Sequence, residues 1–160
     1  LPGNSLPDGL RLRPATAADT ALLVLHRRLM WEAMGTLAPG QADPTEAMYA
    51  AWLERLLGEG RLAAWVVDGA EGPVASGCVY LQEVHPRPGH PGPWCPYLLS
   101  MYTAPGSRGK GVARAIVREA VAWSRAQGAT RIALHASDAG RPLYEGLGFA
   151  ASPEMRLDLA

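Results

Sequence analysis

Two features in short supply narrow this 160-residue sequence before any motif is considered: it has only two cysteines, and it has no excess of either charge. Cys78 stands in an apolar run and Cys95 in a proline-rich stretch, so they supply neither a disulfide framework nor the paired spacing of a metal site. We read them as reduced thiols and expect no metal. Lys plus Arg equals Asp plus Glu at 15 each, which leaves no global field to hold a polyanion, so nucleic acid is not an expected partner. No apolar run reaches the length of a membrane span, and the opening LPGNSLPDG has neither the basic nor the apolar region of a secretory signal. No membrane partner and a cytoplasmic location are the expectations. Internal repeats and low-complexity tracts are also missing, which excludes solenoid and linker-like architectures.

What is present is the composition of a folded domain, with 48% hydrophobic and 19% charged residues. The length suits one core. We expect a flexible lead-in over residues 1–9, which holds Pro2, Gly3, Pro7 and Gly9, and a single α/β domain over residues 10–160. Leu10 to Arg13 alternates as a strand. Thr16-Ala-Ala-Asp19 has the form of a capping box, so a helix is expected from about Ala17 to Met34, with Leu22, Leu25, Leu29 and Ala33 buried and His26, Arg27 and Arg28 opposite. A second helix is expected over 44–58, burying Met48, Trp52 and Leu56.

Arg61 to Asp68 and Val74 to Val84 are β-rich runs around a turn and read as an antiparallel hairpin. Residues 85–96 contain five prolines and two glycines and are expected to form a surface loop. Tyr97 to Thr103 is the next strand, Val112 to Gln127 an amphipathic helix carrying Val112, Ile116, Ala120 and Trp123 on one stripe, and Thr130 to Ala136 a further strand. That order makes a parallel strand–helix–strand unit. A short helix over Arg141 to Leu147 and a final strand over Met155 to Leu159 complete the reading.

The loop between Thr103 and Val112 carries Gly106, Gly109 and Gly111 and feeds a helix N-terminus. Such a terminus presents unpaired N–H groups and the positive end of the helix dipole, so the expected ligand is a phosphorylated small molecule. Gly109 and Gly111 are also compatible with plain turn glycines, but Arg108 and Lys110 at a helix start oppose the dipole unless an anion is present. A Walker A loop fails, because Lys110 is followed by Gly111 rather than a hydroxyl residue. The dinucleotide fingerprint fits poorly: Arg114 stands where its third glycine belongs, and no acid follows around 130–136.

Arg108-Gly-Lys-Gly-Val-Ala113 resembles the R/Q-x-x-G-x-G/A pyrophosphate loop of the GNAT superfamily of acetyl-CoA-dependent N-acyltransferases, with Thr103-Ala-Pro105 similar to the V-x-P before it. Leu143-Tyr144-Glu-Gly-Leu-Gly148-Phe149 resembles that family's L-Y-x-x-x-G-F, and LRLRPATAAD its first strand and helix start. The resemblance extends in element order over residues 10–159. It implies the GNAT fold, a mixed sheet splayed between its fourth and fifth strands, and direct transfer of an acetyl group from acetyl-CoA to a primary amine of a small molecule or peptide.

It further implies that backbone groups of Met101, Tyr102 and Thr103 meet pantetheine and thioester, with an N–H near Tyr102 facing the oxyanion. Arg108, Gly109, Lys110, Gly111, Val112 and Ala113 would hold the pyrophosphate, chiefly through backbone N–H groups. Ser137 stands where the family often has Asn, and Gly140 where alanine is common. Tyr144 is implied as the donor of a proton to the departing thiolate, against the plainer role of a core aromatic. For the base that deprotonates the amine, Glu83 and Glu32 are the candidates, and His135 is either a base or a strand histidine. Trp31, Glu32, Met34, Trp52, Trp94 and Tyr97 are the candidate acceptor-pocket residues. A homodimer is compatible with the family, and an alternative reading is a coenzyme A-binding sensor without turnover.

Overall fold

The computed structural model describes residues 6–159. Five strands form one mixed sheet in the order β1-β2-β3-β4-β5: Arg11–Pro14, Leu62–Gly69, Gly72–Glu83, Trp94–Thr103 and Ala133–Leu134. The first four pair antiparallel, and β5 pairs parallel to β4. Helices α1 (Thr20–Ala33) and α2 (Glu46–Gly58) cover one face; α3 (Val112–Ala126) covers the other, and the short α4 (Arg141–Glu145) follows β5.

Two cores result. Trp65, Val67, Ala75, Val79 and Leu98 pack against Val112, Ile116, Val117 and Ala120 of α3. On the opposite face Ala64, Val66 and Cys78 pack against Leu23 of α1 and Tyr49, Leu53 and Leu56 of α2. Burial on both faces explains why β2 and β3 read as nearly continuous apolar runs rather than alternating ones. At the start of α1 the capping box forms, with Asp19 accepting from the Thr16 N–H at 2.8 Å. Asp19 is also held by Arg13, and these bonds keep its carboxyl down at about 2.

Several expectations are corrected. The first helix begins with a 3₁₀ turn over Ala17–Asp19, and α1 buries Thr20, Leu23 and His26 rather than the Leu22, Leu25, Leu29 stripe; Leu25 is 38% exposed. The cause is a polar pair across the core: His26 Nδ1 lies 2.9 Å from Ser76 Oγ on β3, and its ring rests on Tyr102. In α2 the buried face is Tyr49, Leu53 and Leu56, and Met48 is exposed. β4 starts at Trp94, inside the expected loop. Leu81 gives its N–H to Arg61 on the β2 side, so its pairing with Pro96 asks no donor of the proline. His90 of that loop is buried, its Nδ1 3.1 Å from Thr130 Oγ1.

The sheet's far edge is shorter than expected, since β5 is only Ala133–Leu134. The final strand does not form: residues 150–159 have no regular structure, and Met155, Leu157 and Leu159 are exposed. Alternation records a capacity to pair, and β5 offers almost no edge to pair with. Of the expected lead-in, residues 1–5 lie outside the described residues, and Leu6 packs against the α3-side core.

The feature that positions the site is a bulge. Ser76 and Cys78 of β3 pair with Tyr102 and Leu99 of β4, so Gly77 faces both Ser100 and Met101. Ser100 has φ of 51°. A Cβ at Gly77 would meet Met101 Sδ at 2.2 Å and Ile116 Cγ2 at 2.9 Å, which explains the glycine. The extra residue puts Leu99 and Ser100 on the same face: Leu99 joins the α2-side core and Ser100 Oγ lies 2.8 Å from Tyr49 Oη, while Leu98 and Met101 face α3.

Candidate active site

β4 and β5 pair only at Tyr97–Ala133 and Leu98–Leu134. From Leu99 to Thr103 the β4 edge therefore borders open space instead of a strand, and it lines a cleft of about 1110 Å³. This is large for a small-molecule site, for which about 300–1,000 Å³ is usual. An unpaired strand edge offers backbone donors and acceptors in a row, suited to an extended, amide-bearing ligand.

Thr103 leads into the glycine loop. Arg108 reaches back to donate from Nε to the Thr103 carbonyl at 3.1 Å. Gly109 and Gly111 have φ of 74° and 78°, the left-handed region, with nothing within 4 Å of a Cβ built on either. Both are therefore required by backbone shape rather than by close packing. Gly111 is the N-cap of α3; no side chain caps the helix and no acid lies in its first turn. The N–H groups and the positive pole of the helix thus face the cleft without an internal anion among the described residues. Arg108, Gly109, Gly111, Val112 and Ala113 line it, as do Met101, Tyr102 and Thr103. Lys110 is exposed and does not.

Beyond the same end stand Ser137 and Tyr144. The Ser137 carbonyl accepts from Gly140 and Arg141 at the start of α4, and its Oγ accepts from Gly140 at 3.2 Å. A Cβ at Gly140 would come within 3.2 Å of both Ser137 Oγ and Tyr144 Cε2, so glycine there lets the two side chains draw together. The Tyr144 ring packs edge-on against Phe149 at 5.7 Å, and burial pushes its phenol up to about 12. It keeps its proton near neutral pH, the form in which it can donate.

The other end of the cleft is aromatic. Trp31, Tyr49, Trp52 and Tyr97 line it, with Arg27, Met30 and Met34. Tyr49 stacks on Trp52 at 5.7 Å, and Tyr80 bridges Trp52 and Tyr97 at 5.2 and 6.0 Å. The Arg27 guanidinium pairs with Asp43, donates to Thr45 Oγ1 at 3.2 Å and lies 4.5 Å over the Tyr49 ring. Arg27, Tyr49 and Ser100 were not singled out from sequence. Arg27 sits in a run that reads as a solvated face, and its partner lies beyond a loop whose path the sequence does not state.

Besides Lys110, three candidates lie outside the cleft. Glu83 is exposed at the end of β3, paired with Trp94. Trp94 takes the Arg61 guanidinium 4.5 Å over its ring. Glu32 Oε1 accepts the Gly40 N–H at 3.1 Å, bracing the loop after α1. Among the described residues no carboxylate lines the cleft, whereas His135 does. Among them, too, no cluster of His, Cys, Asp or Glu is placed to hold a metal ion, and no helix is long and apolar enough to cross a membrane.

Comparison with known proteins bears on this geometry. The acetyltransferase (GNAT) family profile matches residues 26–149. No curated protein matches. Among solved structures, a predicted acetyltransferase from Clostridium acetobutylicum, determined with acetyl-CoA, is 25% identical with a TM-score of 0.86, covering 94% of this chain and 96% of that one. A GCN5-related N-acetyltransferase from Ralstonia eutropha is 28% identical with a TM-score of 0.81, covering 94% and 99%. Glucosamine-6-phosphate N-acetyltransferase from Arabidopsis thaliana, at 16% identity, TM-score 0.70 and 94% and 99% coverage, shares the fold. The open β4 edge, the uncapped α3 terminus and the profile match agree, and the chain belongs to the GNAT acetyltransferase family.

Proposed function

We propose that the protein transfers an acetyl group from acetyl-CoA directly to a primary amine. The observation that carries this reading is the continuity of one cleft from the free β4 edge to the bare N-terminus of α3. A ligand with an extended amide arm and a pyrophosphate matches those two surfaces in that order. Bound there, acetyl-CoA would supply an activated thioester.

The roles of the chain follow from what each group offers. Backbone groups of Met101 and Thr103 orient the arm along β4, and an N–H near Tyr102 faces the carbonyl oxygen. Backbone N–H groups of Arg108 to Ala113 hold the pyrophosphate, with the Arg108 side chain and Lys110 adding charge at the rim. Ser137 closes the donor side. Tyr144 donates a proton to the sulfur as it leaves, and proximity in the cleft supplies much of the rate. Because no carboxylate lines the cleft among the described residues, we assign the amine's deprotonation to its open aqueous mouth, where His135 stands, rather than to Glu83 or Glu32.

The test is a thiol-release assay with acetyl-CoA across amine classes, run beside a thermal melt with coenzyme A. Tyr144→Phe is expected to lower kcat by at least about tenfold while leaving coenzyme A affinity within about twofold. Unchanged kcat removes Tyr144 from the mechanism. Stabilisation by coenzyme A with no acetyl consumed by any amine would instead select a coenzyme A-binding sensor.

A further inference from the structure

The acceptor end of the cleft has a character that the acetyltransferase reading does not specify. Its walls are Trp31, Tyr49, Trp52 and Tyr97 together with Met30 and Met34. These rings are not independent: the contacts from Tyr49 through Trp52 and Tyr80 to Tyr97 form one continuous aromatic series across α2, β3 and β4. Such a wall is fixed before a ligand arrives, so it offers apolar area at little ordering cost.

The charges are as informative as the rings. The fixed charges lining the cleft are Arg27, Arg108 and Arg114, all cationic, and no carboxylate joins them among the described residues. Arg27 is already answered by Asp43, and Arg108 and Arg114 stand at the glycine-loop end. A substrate bearing a second ammonium would therefore leave water without a free counter-ion at the aromatic end. Arg27 in turn is engaged by Asp43, Thr45 and the Tyr49 face, so it is a wall rather than a free receptor for an acidic substrate.

Resting on the acetyl-transfer reading, we infer that the acceptor is a monoamine with an uncharged, apolar and preferably aromatic body, an arylalkylamine in chemical class. The aromatic body lies between Trp31, Trp52 and Tyr97, and the amine reaches along β4 toward Ser100 and Met101, which line the same cleft. Polyamines, aminoglycosides and lysines in basic peptides are poor acceptors on this account.

The experiment compares 2-phenylethylamine, spermidine and kanamycin by thiol release from acetyl-CoA, and their binding by calorimetry with coenzyme A present, which cannot transfer. A kcat/KM for 2-phenylethylamine at least about tenfold above both polycations supports the inference. Equal or better use of spermidine or kanamycin overturns it and leaves acetyl transfer standing. If no amine is acetylated, the transfer reading fails, and calorimetry decides the subsite alone. Saturable 2-phenylethylamine binding without spermidine or kanamycin binding upholds it, and any other pattern overturns it. Met34→Glu, at a half-exposed position on the wall, supplies the missing counter-ion. It is expected to shift the preference toward spermidine by about tenfold, and an unshifted preference removes the charge argument.

Discussion

His26 provides the sharpest quantitative test of the structure. Its ring is buried, 4% exposed, and burial lowers its pKa from the ordinary 6.5 to about 4. The unfolded chain therefore takes up the proton first as the pH falls. The stabilisation from keeping His26 neutral is complete above about pH 6.5 and is withdrawn across the window down to about 4. Within that window the slope approaches 1.4 kcal/mol per pH unit, and a depression of this size corresponds to about 3 kcal/mol in all. Urea unfolding at pH 7.5 and 5.0 is expected to differ by about 2 kcal/mol on this account. His26→Asn keeps a polar atom near the Nδ1 position for Ser76 but cannot titrate. It is expected to be less stable at pH 7.5, because the 4.7 Å contact with Tyr102 is lost, yet flatter toward acid. His85, His90 and His135 remain in both proteins, so the difference between the profiles isolates His26. Parallel profiles for the two proteins would refute the buried neutral imidazole.

Two further substitutions test the backbone features of the site. Gly77→Ala is expected to cost about 1–3 kcal/mol by overpacking Met101 and Ile116, read as a lower urea midpoint. In a Met101→Ala background the penalty should shrink, and an undiminished penalty would mean that Met101 is not the obstruction. Gly111→Ala adds no close contact but forces alanine to φ of 78°, a strain of about 1–2 kcal/mol. Its melting temperature should fall modestly and its coenzyme A affinity with it; affinity unchanged beside lowered stability would separate the loop from pyrophosphate binding.

The glycine-loop end of the cleft was legible in the sequence because its chemistry is local. Gly109, Gly111 and the helix they feed are contiguous, and the structure places α3 over Val112–Ala126 against an expectation of 112–127. Val112, Ile116 and Ala120 are buried as their spacing implies, while Trp123 is only partly so. The aromatic end was less legible because it depends on pairings across the chain. Counting apolar residues put Leu22, Leu25 and Leu29 of α1 inward, whereas His26 turns inward because Ser76 waits for it fifty residues on. The same blindness hid Tyr49, whose hydroxyl meets Ser100, and Arg27, whose charge is answered by Asp43. Trp94 and Glu83 erred in the other direction: each has the right chemistry for a site, but their shared pair at the start of β4 lies outside the cleft.

The single extra residue at Ser100 makes β4 a strand written in two reading frames. Upstream of it Tyr97 and Leu99 face α2, and downstream Met101 and Thr103 face α3, with opposite rules for which sequence parity points where. A one-residue deletion at Ser100 would restore a regular strand while leaving Leu99 and Met101 on the faces they now occupy. The frame break also decouples the halves. On the proposed function, side chains at the aromatic end can be rewritten in the first frame without altering what the second presents toward α3, so one chain could change its acceptor and keep its coenzyme.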